Sequence, residues 1–276
     1  MARVLAAGFF DGVHLGHRRI LEGADAALTF RNHPLSVLLP SEAPPLLMTF
    51  GERVAAIRAC GVKDVVALDF TRELADTSSE DFAGRIRAMG TEVVRCGENW
   101  RFGRGGAGDA EFLRERRFSV EVVPYAEYDG GPVSSTRIRE ALKDGRIGDA
   151  NSMLGRPWRV SGEVASGKGF GSKMGFPTVN LRLPAYLPKI PLGVYEVAAC
   201  GARAIANWGV APTMGEHAWP EPVLELHFPG ECPAVCTDGP VAVDFLRFVR
   251  HERRFANLDE LKAQIESDCR ALADGL

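Results

Sequence analysis

No apolar run in the 276-residue chain approaches the ~20 residues a helix needs to cross a bilayer, so no membrane span is expected. Charge of neither sign dominates. Lys and Arg number 33 against 36 Asp and Glu, a formal net charge of −3. That balance gives no general electrostatic reason to bind nucleic acid or an anionic membrane. Cysteine is sparse and scattered, at Cys60, Cys96, Cys200, Cys232, Cys236 and Cys269, and no CxxC pair occurs. Cys232 and Cys236 flank Pro233, but no second pair of matching spacing follows, which argues against zinc. Reduced thiols in a cytoplasmic protein are expected. The first apolar stretch runs straight into Asp11 and His14. It lacks the charged flank and full apolar core of a signal peptide, so it reads as a strand. Internal repeats and low-complexity tracts are missing too. What is present is 46% hydrophobic and 25% charged, enough to bury a substantial core. The length suits one large domain or two ordinary ones.

The first half alternates short apolar runs with helical patterns. Strands are expected at Val4–Phe10, Ala26–Phe30, Val62–Leu68, Val93–Cys96 and Val120–Pro124. Helices are expected at His17–Glu22, Glu52–Cys60 and Ser79–Met89, the last capped by Ser78 or Ser79, and then at Thr136–Lys143 and Ile147–Leu154. Such alternation predicts a parallel α/β sheet with helices on both faces and a ligand at the carboxyl ends of its strands. After Gly155-Arg156-Pro157 the texture changes to short alternating runs: Arg159–Val164, Gly193–Cys200, Ala202–Ala206, Val223–Phe228 and Val241–Val249. Dense Gly and Pro punctuate them, the pattern of a small antiparallel barrel. A closing helix over Leu258–Leu272 carries Leu258, Leu261, Ile265 and Leu272 on one period, capped by Asn257 with Glu260 behind it. The expected fold class is therefore α/β plus β, divided as residues 1–154 and 155–276. Oligomeric state is not legible.

Three segments carry chemistry. Gly8-Phe9-Phe10-Asp11-Gly12-Val13-His14-Leu15-Gly16-His17 links the first strand to the first helix. Its glycines let backbone approach phosphates, and the helix N-terminus favours anions. His14 and His17, three apart, share a helical face and can donate hydrogen bonds to a phosphate gathering charge. Ser134-Ser135-Thr136 starts a helix with Arg139 following, donors that suit a polyphosphate. Gly167-Lys168-Gly169-Phe170-Gly171-Ser172-Lys173-Met174-Gly175-Phe176-Pro177-Thr178-Val179-Asn180 is a glycine-rich cationic loop. It is not a Walker A loop, because the spacing fails and no helix follows. Thr178 and Asn180 alternate on extended chain and face one way. A hydroxyl and an amide oxygen suit Mg²⁺ bridging nucleotide phosphates.

These motifs resemble those of the bacterial bifunctional riboflavin kinase/FMN adenylyltransferase family, nearly end to end. The first segment resembles its GxFDGxHxGH motif. Phe30–Pro34 is similar to its FxPHP-type strand end, Gly97–Gly103 to GENFxFG, and Val133–Arg139 to ISSTxIR. In the second half, GFPTxN resembles the riboflavin kinase signature. It is followed by Gly193-Val194-Tyr195, an NxGxxPT-like stretch from Asn207, an LEVH-like Leu224–His227, and an RxExxF-like Arg250–Phe255. The resemblance implies Rossmann-like nucleotidyltransferase and riboflavin kinase domains. ATP would phosphorylate riboflavin to FMN and then adenylylate FMN to FAD, with Mg²⁺ and ATP, no nucleic acid and no membrane. It implies that Gly8, Phe9, Asp11, Gly16, Asn99, Ser134, Ser135 and Thr136 bind nucleotide in the first domain, with His14, His17 and Arg139 acting on the ATP phosphates. In the second it implies nucleotide contacts from Gly167, Gly169, Lys173, Gly175 and Asn207. Metal would be held by Thr178 and Asn180, and flavin by Arg250, Glu252 and Phe255. Trp208 is a further aromatic able to stack on the flavin. Glu225 is the expected base for the ribityl hydroxyl. Two departures stand out: Phe9 replaces the family's usual Asn, and Arg18–Thr29 is short for a crossover. Two other readings stay open. One is a kinase whose first domain is inactive or altered. The other is a flavin- or nucleotide-binding regulator without catalysis.

Overall fold

A computed structural model of the chain describes residues 3–165, 178–210, 222–229, 233, 239–253, 255 and 258–273. It divides into two compact units, Met1–Arg137 and Ile138–Leu276. The expected fold class, α/β followed by an antiparallel barrel and a terminal helix, is the one observed.

The first unit is a parallel sheet in the order β3-β2-β1-β4-β5. Its strands are β1 (Val4–Ala7), β2 (Ala26–Phe30), β3 (Asp64–Leu68), β4 (Val93–Gly97) and β5 (Ser119–Val123). Apolar residues cover both faces of β1. Leu5 and Ala7 pack with Phe82 and Ile86 of α5 (Ser79–Ala88) and Leu113 of α6 (Ala110–Glu115). Ala6 packs with Leu21 of α1 (Leu15–Leu21) and Ile57 of α3 (Phe50–Ala59). A sheet buried on both faces leaves its carboxyl edge as the place for a ligand, where strand order reverses between β1 and β4.

Caps set the helix starts. Thr49 and Glu52 form a reciprocal capping box on α3, with Glu52 N–H donating to the Thr49 hydroxyl at 3.1 Å and Thr49 N–H to the Glu52 carboxylate at 2.7 Å. Ser78, one of the two expected caps, starts α5. Strand β1 stops three residues short of the expected Phe10. Phe10, Gly12 and Val13 have φ of 59°, 83° and 41°, a region closed to extended chain. Three short helices, α2 (Leu35–Leu38), α4 (Arg72–Ala75) and α6, and a small hairpin, β6 (Glu127–Tyr128) with β7 (Gly131–Pro132), were not expected. Each is too short for a period to show.

Helix α7 (Ser135–Lys143) spans the division, and α8 (Ile147–Leu154) belongs to the second unit. Asn151 of α8 donates from Nδ2 to the carbonyls of Phe245 (2.8 Å) and Leu246 (3.3 Å), and its Oδ1 accepts from Trp158 N–H (2.7 Å). The barrel closes as β10-β11-β12-β9-β8-β13. These strands are β8 (Trp158–Ala165), β9 (Thr178–Arg182), β10 (Gly193–Ala199), β11 (Ala202–Gly209), β12 (Val223–His227) and β13 (Pro240–His251). Its interior is apolar: Val179, Tyr195, Val197, Ala206, Leu224, Leu226 and Phe245 are buried. Their alternating neighbours therefore face outward. Two of these, Val194 and Ile205, pack under Ile265 and Cys269 of the terminal helix (Leu258–Ala273). The expected cap of that helix, Asn257, lies outside the described residues. One expectation is corrected. Cys200 is disulfide-bonded, whereas Cys60, Cys96 and Cys269 are free.

Candidate active sites

The first site is the turn from β1 to α1. His14 caps α1, its Nδ1 accepting from His17 N–H at 3.3 Å. The two imidazoles stack at 3.6 Å and 17°. A Cβ on Gly16 would meet the His14 ring at 3.2 Å, so glycine there lets the rings close up. A Cβ on Gly8 would meet the Phe10 ring at 2.9 Å. Burial, then the His14 ring and the charge of Arg53, hold the His17 imidazole well below its usual range. His17 Nδ1 is buried without a partner. A lone pair tolerates that better than an N–H, so the neutral ring best carries its proton on Nε2. Asp11 is buried and accepts Leu47 N–H at 3.1 and 3.2 Å. Ser135 Oγ donates to the Asp11 carbonyl at 2.9 Å, and Ser134 Oγ accepts Arg137 N–H at 3.2 Å. The sequence-predicted turn and the start of α7 are thus tied together. Thr136 is exposed at the start of α7. Asn99 is exposed just past the carboxyl end of β4, the neighbour of β1. Arg139 lies one turn along α7, beyond the division of units.

Phe9 sits between two partners. The His33 ring meets it edge-on at 4.7 Å, and the Arg53 guanidinium lies 4.1 Å from its centroid. Arg53 was missed in the sequence. It is 2% exposed and donates to the carbonyls of Phe30 (2.6 Å) and Arg31 (3.0 Å), where β2 ends. Burial pulls its pKa down to about 10, against the pull of Asp11, so it stays charged at neutral pH. The available signal was its position. Arg53 stands four residues before buried Ile57, on the inward face of α3.

The second site lies on the outer wall of the barrel. Asn180 of β9 stands directly opposite Glu225 of β12, and Glu225 opposite Asn207 of β11. Thr178 stands opposite His227 on the same face. Directly paired residues bring their side chains within about 5 Å. Glu225 is half-buried, with Oε2 3.8 Å from His227 Nε2. Burial lowers the His227 pKa although Glu225 and Asp268 raise it. The imidazole is therefore neutral at pH 7, and the contact is not an ion pair. Asn207 Nδ2 donates to Glu252 Oε1 at 3.4 Å. Gly209 makes room for that carboxylate, since a Cβ there would overlap it. Arg250 is engaged by Asp268 of the terminal helix at 2.7 Å, and Asp268 also accepts from Gln264 at 2.8 Å. Phe255 is half-buried, with the Arg253 guanidinium 4.7 Å from its centroid. Trp208, half-buried, pairs with Leu224 and Gly193. Gly167, Gly169, Lys173 and Gly175 lie outside the described residues. Among the described residues no three His, Cys, Asp or Glu side chains cluster as a metal site. The Thr178, Asn180 and Glu225 oxygens instead suit a hard cation that keeps phosphate and water ligands.

Comparison with known proteins agrees with this division. The FAD synthetase family matches residues 1–137 and the riboflavin kinase family residues 154–276. The bifunctional riboflavin kinase/FMN adenylyltransferase of Escherichia coli K12 is 32% identical over 286 residues, 96% of this chain and 90% of that protein. That of Pseudomonas fluorescens is 33% identical, over 98% and 93%. That of Bacillus subtilis is 28% identical, over 96% and 90%. A Streptococcus pneumoniae crystal structure described as a macrolide-efflux protein superposes with TM-score 0.84 at 28% identity, covering 97% of this chain and 92% of that one. No helix among the described residues here is long and apolar enough to cross a membrane. Fold and sites define a class in which a nucleotidyltransferase-type α/β unit and a flavin-kinase barrel share one chain. This chain belongs to the bifunctional riboflavin kinase/FMN adenylyltransferase family.

Proposed function

We propose that residues 155–276 phosphorylate riboflavin to FMN and residues 1–154 adenylylate FMN to FAD, ATP serving both steps, in the cytoplasm. The observation that carries the kinase assignment is the cross-strand row Asn180, Glu225, Asn207 on one outer wall of the barrel. Glu225 accepts the proton of the ribityl 5′-hydroxyl as that oxygen attacks the γ-phosphorus of ATP, and ADP leaves. Thr178 and Asn180 would hold Mg²⁺, which when bound offsets the phosphate charge. Arg250, Glu252 and Phe255 would hold the flavin, a reading that the bond from Asn207 to Glu252 supports.

In the first unit an FMN phosphate oxygen attacks the α-phosphorus of ATP, and pyrophosphate leaves. No protein nucleophile is needed. His14 and His17 donate hydrogen bonds to the phosphate as charge gathers there, His17 as a neutral ring from Nε2. Ser134, Ser135 and Thr136 hold the leaving phosphates from the start of α7, and Asn99 lines the same strand edge.

Incubation with riboflavin, ATP and Mg²⁺, followed by flavin separation, tests this reading. FMN and FAD are both expected, and chelation of the metal should stop FMN formation. FMN alone would select a kinase with a silent first unit. Bound flavin without product would select a regulator. Glu225→Gln should abolish FMN formation and leave conversion of FMN to FAD intact. Equal loss of both steps in a folded variant would refute the division of labour.

A further inference from the structure

Arg53 is a charge enclosed in the first unit, where the charge of Asp11 acts on it and backbone carbonyls and aromatic rings surround it. It is 2% exposed, and its Nη2 meets only the two carbonyls that end β2. Its Nε is buried with no hydrogen-bond partner, and the acid whose charge bears on it, Asp11, itself accepts from Leu47 N–H. Its flat face lies on Phe9, within the turn that precedes the two histidines. Burying a cation opposes folding unless its surroundings compensate the charge. An apolar side chain would fill the space at less cost. The cost is offset when an anion is held nearby, and the carboxyl edge of this sheet is where nucleotide phosphates arrive in the reading above.

We propose that Arg53 is a positioning residue for adenylyl transfer: it braces the Gly8–His14 turn against the end of β2 and sets a fixed positive charge beneath the phosphates. This rests on the adenylyltransferase reading of the first unit. The guanidinium does both jobs through its shape. Nη2 alone donates to both carbonyls while the flat face stacks on Phe9, a combination a lysine cannot make. The same charge discourages a proton on His17, so the ring meets substrate as a neutral donor. The groups around His17 are few. His14 stacks on it, Arg53 approaches from α3, and Arg18 of α1 turns to the Val13 carbonyl at 3.4 Å. Asp11 acts on Arg53, and Ser135 from α7 is neutral.

The test uses the full chain with Arg53→Gln, which keeps an N–H donor and loses the charge, and Arg53→Lys, which keeps the charge and loses the flat face on Phe9. FAD formation from FMN, FMN formation from riboflavin, and the His17 ring titration by NMR are measured on each. The dispersed His17 signal reports that the first unit is folded. In Arg53→Gln, kcat for FAD formation should fall at least about tenfold with a smaller change in KM, and the His17 midpoint should rise by on the order of one pH unit. In Arg53→Lys the midpoint should stay near wild type while kcat still falls. FMN formation should be unchanged in both. A His17 midpoint unmoved in Arg53→Gln, or wild-type FAD formation in either variant, overturns the proposal. A wild-type chain that makes FMN but no FAD sinks instead the adenylyltransferase reading on which it stands.

Discussion

His17 and His227 share a condition set by burial. Each imidazole has a pKa held down in the fold, and each has a buried Nδ1 without a partner. The unfolded chain takes up a proton at each near pH 6.5, and the folded chain does so only at lower pH. Their stabilising contribution is full above about pH 6.5 and is lost as pH falls below it. Urea unfolding measured stepwise from pH 7 to pH 5 should therefore show a falling midpoint. His227→Gln should flatten part of that fall even though it lowers the starting value. A slope unchanged in the variant would mean other groups carry the effect. Asp268 of the terminal helix is the partner holding Arg250. Asp268→Ala leaves that half-buried guanidinium unpaired. It should cost about 3 kcal/mol and loosen the terminal helix, seen as faster amide exchange over residues 258–273.

Helix α3 depends on its first turn. Thr49→Ala removes half of the capping box and should cost about 1 kcal/mol in a denaturant series. Because Arg53 occupies the first turn of this helix, FAD formation should drop along with stability, while FMN formation holds. In the barrel, Asn151 joins α8 to two strands through three hydrogen bonds. Asn151→Ala leaves a buried N–H and two carbonyls short of partners and should cost about 2–4 kcal/mol. Gly193 is needed for a different reason. A Cβ there would lie 2.5 Å from the Arg250 carbonyl, across a pairing whose register shifts between Val194 and Tyr195. Backbone on backbone cannot yield, so Gly193→Ala should lower the melting temperature of the barrel. The long patterned elements could be read directly: α5, α8 and the terminal helix each repeat apolar residues at the helical period, and β2 is a short apolar run buried on both faces. The helices α2, α4 and α6 could not, since four to six residues make one turn or little more.

At the scale of the whole molecule, two reactions in sequence sit in separately cored units, and the product of the second unit is the substrate of the first. Inactivating one step should leave the other. A chain carrying Glu225→Gln mixed with one carrying His17→Asn should convert riboflavin to FAD, although neither does so alone, because FMN released by one can bind the other. Failure of the mixture, with each single activity intact, would mean that FMN does not leave the chain that makes it. The residues proposed for both sites stand in short motifs, because phosphate and metal chemistry would restrict which side chains can serve. His14 and His17 three apart, and Thr178 and Asn180 two apart, are local geometry that the chain writes for itself. Local sequence also determined the strand and helix periods, hence the two classes of fold. Only the tertiary structure could set Asn180, Glu225 and Asn207 side by side, since register across three strands depends on which faces the barrel buries. The tertiary structure alone likewise made Arg53 part of the first site, because a charge on a helix reads as a solvated one until the fold encloses it.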